Sequence, residues 1–285
     1  MATHTNTIAR QFAQDLNIQE FREFLKRQKY LDNNECKRTG FAYPEDNPLV
    51  WIKFGEGSDI VPEARTHRYA FRMLQQVPEE QRRNIYIPEV YRCITYLERA
   101  YMVMEYVRGR TMADLKCDTA FRAAFTAAGG QPHLDMLDRA IKLLLSFPVP
   151  ENAAPGPYGG GLIRHPMFPS SRAWMRYYSV EELENHFNQT LGPRASLVPK
   201  ITLERELHLV PGDLHDSNFM FTEAGDLYII DFGQTCFLPL SLMTYAMREP
   251  TKWIASMLGE KLKDFPLPEK NQISLEQVSC VFGPY

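Results

Sequence analysis

Asp213-Leu214-His215-Asp216-Ser217-Asn218, followed after an apolar run by Ile229-Ile230-Asp231-Phe232-Gly233, is the stretch that decides how this chain is read. Phosphoryl transfer asks little covalent chemistry of a protein. It needs a carboxylate to orient the attacking hydroxyl and hard oxygen ligands to hold Mg²⁺ against the nucleotide phosphates. Asp213, Asn218 and Asp231 supply that set in the order Asp-x4-Asn and then Asp-Phe-Gly. The spacing predicts Asp213 as the catalytic base, Asn218 and Asp231 as Mg²⁺ ligands, ATP as donor and a hydroxyl as acceptor. Taken singly, each residue has a plainer reading: a turn cap, a strand start and a bend. The register of all three favours the chemical one.

Working outward, Phe219 to Thr222 reads as a strand, Glu223 to Asp226 as a turn and Leu227 to Ile230 as a second strand. This hairpin carries the chain out of the loop at Asn218 and returns it at Asp231. Further upstream, a helix is expected over Ile18 to Tyr30, with Ile18, Phe21 and Leu25 on one face. A β-meander is expected over residues 35 to 54, broken at Gly40 and at Pro44-Glu45-Asp46-Asn47. It ends in Leu49-Val50-Trp51-Ile52-Lys53-Phe54, an apolar strand with a charge inside it. A helix then starts at Pro62 and closes at Pro78. Residues 85 to 96 and 101 to 107 read as strands, and Asp135 to Phe147 and Val180 to Leu191 as helices.

Lys53 and Glu63 gain meaning together. An ammonium in an apolar strand must reach water or find an anion. In phosphotransfer enzymes built this way, a strand lysine holds the nucleotide phosphates and a glutamate of the next helix orients it. The plainer readings are an edge-strand lysine that discourages aggregation and a glutamate favoured by the helix N-terminus.

Composition narrows the class. The 285 residues, 44% hydrophobic and 12% aromatic, are enough for a large core or two lobes. A net charge of −3 gives no basic face for nucleic acid or an anionic membrane. The five cysteines are scattered and lack any Cys-x-x-Cys pair, which predicts reduced cytoplasmic thiols and no zinc site. No apolar run approaches the ~18–20 residues of a membrane span. The first fifteen residues are polar around a lone Arg10, so no secretory leader is expected.

With Val103-Met104-Glu105-Tyr106-Val107-Arg108-Gly109 added to Val50–Phe54, Glu63-Ala64-Arg65-Thr66, Gly212–Asn218 and Ile229–Gly233, the chain resembles the aminoglycoside phosphotransferase and choline kinase-like family. Pro155-Gly156-Pro157-Tyr158-Gly159-Gly160-Gly161 points to its fungal, uncharacterised branch. The resemblance runs from about residue 45 to 250. It implies an α+β, bilobal protein-kinase-like fold, with a small β-rich lobe over residues 1–107 and a larger, mainly helical lobe over 108–285. It further implies that Lys53 and Glu63 serve the phosphates of ATP. Glu105, Tyr106 and Val107 would form the hinge that bonds adenine, with Met102 and Met104 as apolar lining or plain strand core.

Two departures stand out. Pro211 occupies the position where the family pattern His-Gly-Asp has its loop-bracing histidine, and no Gly-x-Gly-x-x-Gly precedes Lys53. His215 reads as a structural hydrogen-bonding group, Asp216 as solvated or capping, and Gly159–Gly161 as a linker. The Ala-Pro-Glu element of protein kinases is missing, which favours a small-molecule hydroxyl acceptor. The alternative is a catalytically silent nucleotide-binding or scaffold protein on the same fold. Neither the acceptor nor the oligomeric state is legible.

Overall fold

The structure, a computed structural model, describes residues 2–17, 19, 21, 23, 39–249, 252–259 and 267–282. The chain folds as two compact units, Met1–Ala64 with Pro88–Arg108, and Arg65–Ile87 with Gly109–Tyr285.

The first unit is built on an antiparallel sheet of order β1-β2-β5-β4, from strands β1 (Gly40–Tyr43), β2 (Val50–Glu56), β4 (Val90–Tyr96) and β5 (Arg99–Glu105). Val50, Ile52 and Phe54 alternate inward with Phe41, Tyr101 and Val103 as one apolar cluster, while Met102 and Met104 join Ile60, Ala64 and Ala100 in another. With both sets covered, β5 is buried from Ala100 to Met104, so the two methionines are strand core.

Helix α1 (Ala2–Asp15) is not expected from the sequence, because its buried residues Ala9 and Ala13 are too small to read as an apolar stripe. The Arg92 guanidinium donates to the carbonyls of Gln14 (2.8 Å) and Leu16 (3.2 Å), satisfying acceptors at the helix end. Of the helix expected over Ile18 to Tyr30, Ile18 and Leu25 lie outside the described residues, whereas Phe21 is described and buried. The part of the expected meander before residue 39 also lies outside them, and Gly40 begins β1 rather than breaking a strand.

Helix α2 runs from Gly57 to Gln76 with Pro62 inside it, not at its start. Proline lacks only the N–H that would bond back to the carbonyl four residues earlier, a modest loss so near the helix end. Glu63 therefore stands well into α2, where the helix N-terminus exerts little pull.

The expected strand over 85 to 96 is two elements. β3 (Ile85–Tyr86) pairs in parallel with β9 (Leu227–Ile229), and β4 belongs to the other sheet; Pro88 falls between them.

In the second unit, β3-β9-β8-β6 form one sheet, with β6 (Arg110–Thr111) and β8 (Phe219–Phe221) antiparallel. β7 (His208–Pro211) and β10 (Thr235–Leu238) form a two-stranded ribbon. Gly109 lies so close to the Phe221 carbonyl that a Cβ would come within 2.5 Å of it, which explains a glycine before β6. Short helices α3 (Met112–Cys117) and α4 (Thr119–Ala127) follow. Helix α5 (His133–Ser146) buries Leu134, Leu137, Ile141, Leu144 and Leu145 on one side, and α6 (Val180–Leu191) adds Leu183 and Phe187 to the same core. Between them, Gly156 bridges to Phe237 and the Tyr158 N–H donates to Thr66 Oγ1 at 3.0 Å, so the glycine-rich stretch is a pinned segment. Helices α7 (Leu240–Met247), α8 (Trp253–Leu258) and α9 (Gln272–Phe282) complete the unit.

Candidate active site

The ribbon β7–β10 launches the segment read first in the sequence. Pro211 pairs with Thr235, and the Gly212 N–H donates to the Gln234 carbonyl at 2.8 Å. A Cβ on Gly212 would lie 2.8 Å from His165 Cδ2 and 2.9 Å from Gln234 O, so only glycine fits. His165 is fully buried. Its Nδ1 accepts from the Met167 N–H at 3.1 Å, which leaves Nε2 to donate to the Leu242 carbonyl at 3.1 Å. Burial pushes its pKa down to about 3 against the opposing pull of that carbonyl, so the ring is neutral. Sequence reasoning notes the missing histidine at Pro211 and overlooks this one, which packs on the loop from residue 165.

The next bonds tie the loop to the strand that leads into Asp231. Asn218 Nδ2 donates to the Asp213 carbonyl at 3.1 Å, and the Ile230 N–H donates to the Asn218 carbonyl at 3.0 Å. The strands continue in register, Phe219 opposite Ile229, so Asp231 follows directly on the residue bonded to Asn218. Asp231 Oδ1 accepts from the Gly233 N–H at 2.8 Å. Asn218 is buried, while Asp213 and Asp231 are half-buried.

A carboxylate and an amide oxygen are hard donors of the kind Mg²⁺ prefers, and the ion usually takes only one or two protein ligands, completing its shell with phosphate and water. The Asn218 amide nitrogen is committed to the Asp213 carbonyl, which leaves Oδ1, facing Ser217 Oγ at 3.3 Å, as the atom that would be offered to an ion. Among the described residues no group of three His, Cys, Asp or Glu side chains could hold an ion alone. The donor set thus fits a metal shared with a phosphate.

Two lysines that sequence reasoning missed enter here. Lys252 Nζ lies 2.7 Å from Asp213 Oδ1, and Lys116 donates to Asp216 Oδ2. Asp216 is not solvated but buried. Burial pushes its pKa up, but the hydrogen bond and charge of Lys116, with help from His215, hold it below the usual carboxylate range. His215 Nδ1 accepts from the Ser217 N–H at 3.1 Å, a structural cap on the turn.

In the first unit, Lys53 Nζ lies 2.7 Å from Glu63 Oε1, with side-chain exposures of 14% and 4%. Lys53 sits on an inner strand opposite Gly40 and Met102, which excludes the edge-strand reading. Glu105 ends β5, and its Oε2 accepts from the Glu89 N–H at 3.2 Å. Burial raises its pKa against that bond. Tyr106 and Val107 follow outside regular structure and are half-exposed.

No protein-family model matches the sequence, and no curated protein does. Solved structures do match. A thermostable mutant of aminoglycoside phosphotransferase APH(4)-Ia, in ternary complex with ADP and hygromycin B, superposes with a TM-score of 0.50 at 12% identity, covering 81% of this chain and 77% of that one. A second mutant of that enzyme, with AMP-PNP and hygromycin B, gives 0.50 at 12%, covering 82% and 76%. A GDP complex of aminoglycoside 2'-phosphotransferase-IIIa gives 0.49 at 11%, covering 94% and 88%. The chain therefore has the α+β, protein-kinase-like fold of the aminoglycoside phosphotransferases.

Proposed function

We propose that this chain is an ATP-dependent phosphotransferase that moves the γ-phosphate to a hydroxyl of a small molecule. The observation that carries the reading is the hydrogen bond from Asn218 to the Asp213 carbonyl, with the Ile230 N–H bonded to the Asn218 carbonyl one residue before Asp231, on the fold of enzymes solved with nucleotide and a small-molecule ligand. Asp213 accepts a hydrogen bond from the acceptor hydroxyl and takes its proton as the new O–P bond forms and the bond to the β-phosphate oxygen breaks, releasing ADP. Asn218 and Asp231 hold Mg²⁺, which when bound neutralises charge on the phosphates. Lys53, oriented by Glu63, binds the phosphates of ATP. The backbone of Glu105, Tyr106 and Val107 bonds the adenine edge.

The test is a metabolite pool incubated with labelled ATP and Mg²⁺, comparing the natural protein with Asp213→Ala. The natural protein should yield a labelled product. Asp213→Ala should lose roughly 10²–10⁴-fold in rate with nucleotide affinity little changed, whereas Asp231→Ala should weaken Mg-nucleotide binding itself. Stabilisation by Mg-ATP with no product from any pool would replace this reading with a silent nucleotide-binding protein.

A further inference from the structure

The catalytic loop carries two carboxylates on its own length, Asp213 and Asp216, and each is matched by a lysine from elsewhere in the same unit. Lys252 holds Asp213 Oδ1; Lys116 holds Asp216 and also stands over the Trp253 ring, 4.5 Å from its centroid. Trp253 directly follows Lys252 and is braced by Phe125, ring centroids 5.5 Å apart. Lys116 thus packs on the indole of the residue that follows Lys252, and the two ammonium groups pair with carboxylates three positions apart on one loop. An ammonium has three N–H donors. Among the described residues Lys252 donates only to Asp213, and Lys116 only to Asp216. Their side chains are 23% and 29% exposed, so donors remain within reach of a ligand.

Lys252 stands directly beside Asp213, and Lys116 beside the second carboxylate of the same loop. A cationic acceptor would meet the Lys252 ammonium beside the base, with the loop carboxylates already neutralised. A hydroxyl compound bearing an anion would find unclaimed N–H donors of the strongest kind. We infer that the acceptor is a small hydroxyl compound with a carboxylate or phosphate near its reactive hydroxyl, held by Lys252 with Lys116. The inference rests on reading Asp213 as the base of a phosphotransferase.

The experiment uses the full chain with Mg-ADP and ligand-observed NMR titrations of glycerate, gluconate and shikimate, each beside its uncharged amide and its amino-alcohol counterpart. At least one acid should bind about tenfold or more tighter than its neutral and cationic partners, the factor expected of one charge-assisted hydrogen bond. Lys252→Met should abolish that preference, Lys252→Arg should keep it, and Lys116→Gln should reduce it. Thermal melts establish that each variant is folded. Equal binding across the sets, tighter binding of the amino alcohols, no binding of any acid, or an undiminished preference in folded Lys252→Met would each overturn the inference. Failure of the enzyme reading looks different: acids would bind in a Lys252-dependent way, yet Mg-ATP would phosphorylate nothing. Asp213-dependent turnover of a cationic acceptor would sink this inference and leave the phosphotransferase standing.

Discussion

Glu63 and Lys53 allow stability and nucleotide binding to be separated in one set of variants. At 2.7 Å their attraction is about 6 kcal/mol at the effective dielectric of protein sites, before the desolvation of both groups is subtracted. Removing one partner from such a pair leaves the other charge buried and costs about 3–5 kcal/mol. Lys53 keeps more contact with solvent than Glu63, so Glu63→Leu should fall at the lower end and Lys53→Met at the upper. In a domain of this size, that corresponds to a loss of about 6–20 °C in Tm. The double variant Lys53→Met/Glu63→Leu removes both members of the pair and fills the space with apolar atoms. It should recover most of the about 3–5 kcal/mol lost in either single change. Melts of all four proteins, followed by circular dichroism with and without Mg-ATP, read both quantities. The double variant should regain stability and, on the proposed phosphate role of Lys53, still gain nothing from Mg-ATP. Purely additive losses would refute the energetic coupling of the pair. A double variant that Mg-ATP stabilises as well as the natural protein would refute the phosphate role of Lys53.

Gly212→Ala should destabilise by about 1–3 kcal/mol, the usual range for overpacking, since the new methyl meets His165 and a backbone carbonyl; an unchanged denaturation midpoint would show that the loop yields. His165 sets a pH dependence. Its native pKa of about 3 lies below the ordinary 6.5, so below pH 6.5 the unfolded chain binds a proton that the native ring refuses. Stability is fully present above that value and drains away as pH falls toward 3, by up to about 5 kcal/mol. His165→Gln should flatten this part of the stability profile relative to the natural protein, and parallel profiles would show that other groups carry it.

The parts of the candidate site legible in the sequence are those whose geometry is enforced locally. Asn218 and Asp231 are separated by a hairpin with a readable turn, and the bond between Ile230 and Asn218 follows from strand pairing. Lys53 and Glu63 are ten positions apart, joined by a strand that runs directly into a helix. Alternation on β2 makes the lysine conspicuous, because a charge has to be accommodated there. The same local logic fails at the start of α2, where Pro62 reads as a boundary although the chain has already turned helical at Gly57. It fails again at α1, where two alanines form the buried stripe. In both cases tertiary packing sets the outcome against a weak local signal.

Lys252 and Lys116 are invisible for a different reason. They pair with the loop across 39 and 100 positions, and nothing in their neighbourhoods distinguishes them from the other surface-type lysines of the chain. His165 is the same case, a lone histidine whose role depends on being packed against Gly212. The chemistry common to phosphotransferases is concentrated in short stretches because one metal and one base must be held to a fraction of an ångström. Acceptor choice needs only charge and shape placed at a few points, which separate helices can supply. The proposed reaction is therefore legible in the sequence through Asp213, Asn218 and Asp231. The proposed acceptor preference rests on two lysines whose meaning appears only when the carboxylates they pair with are known.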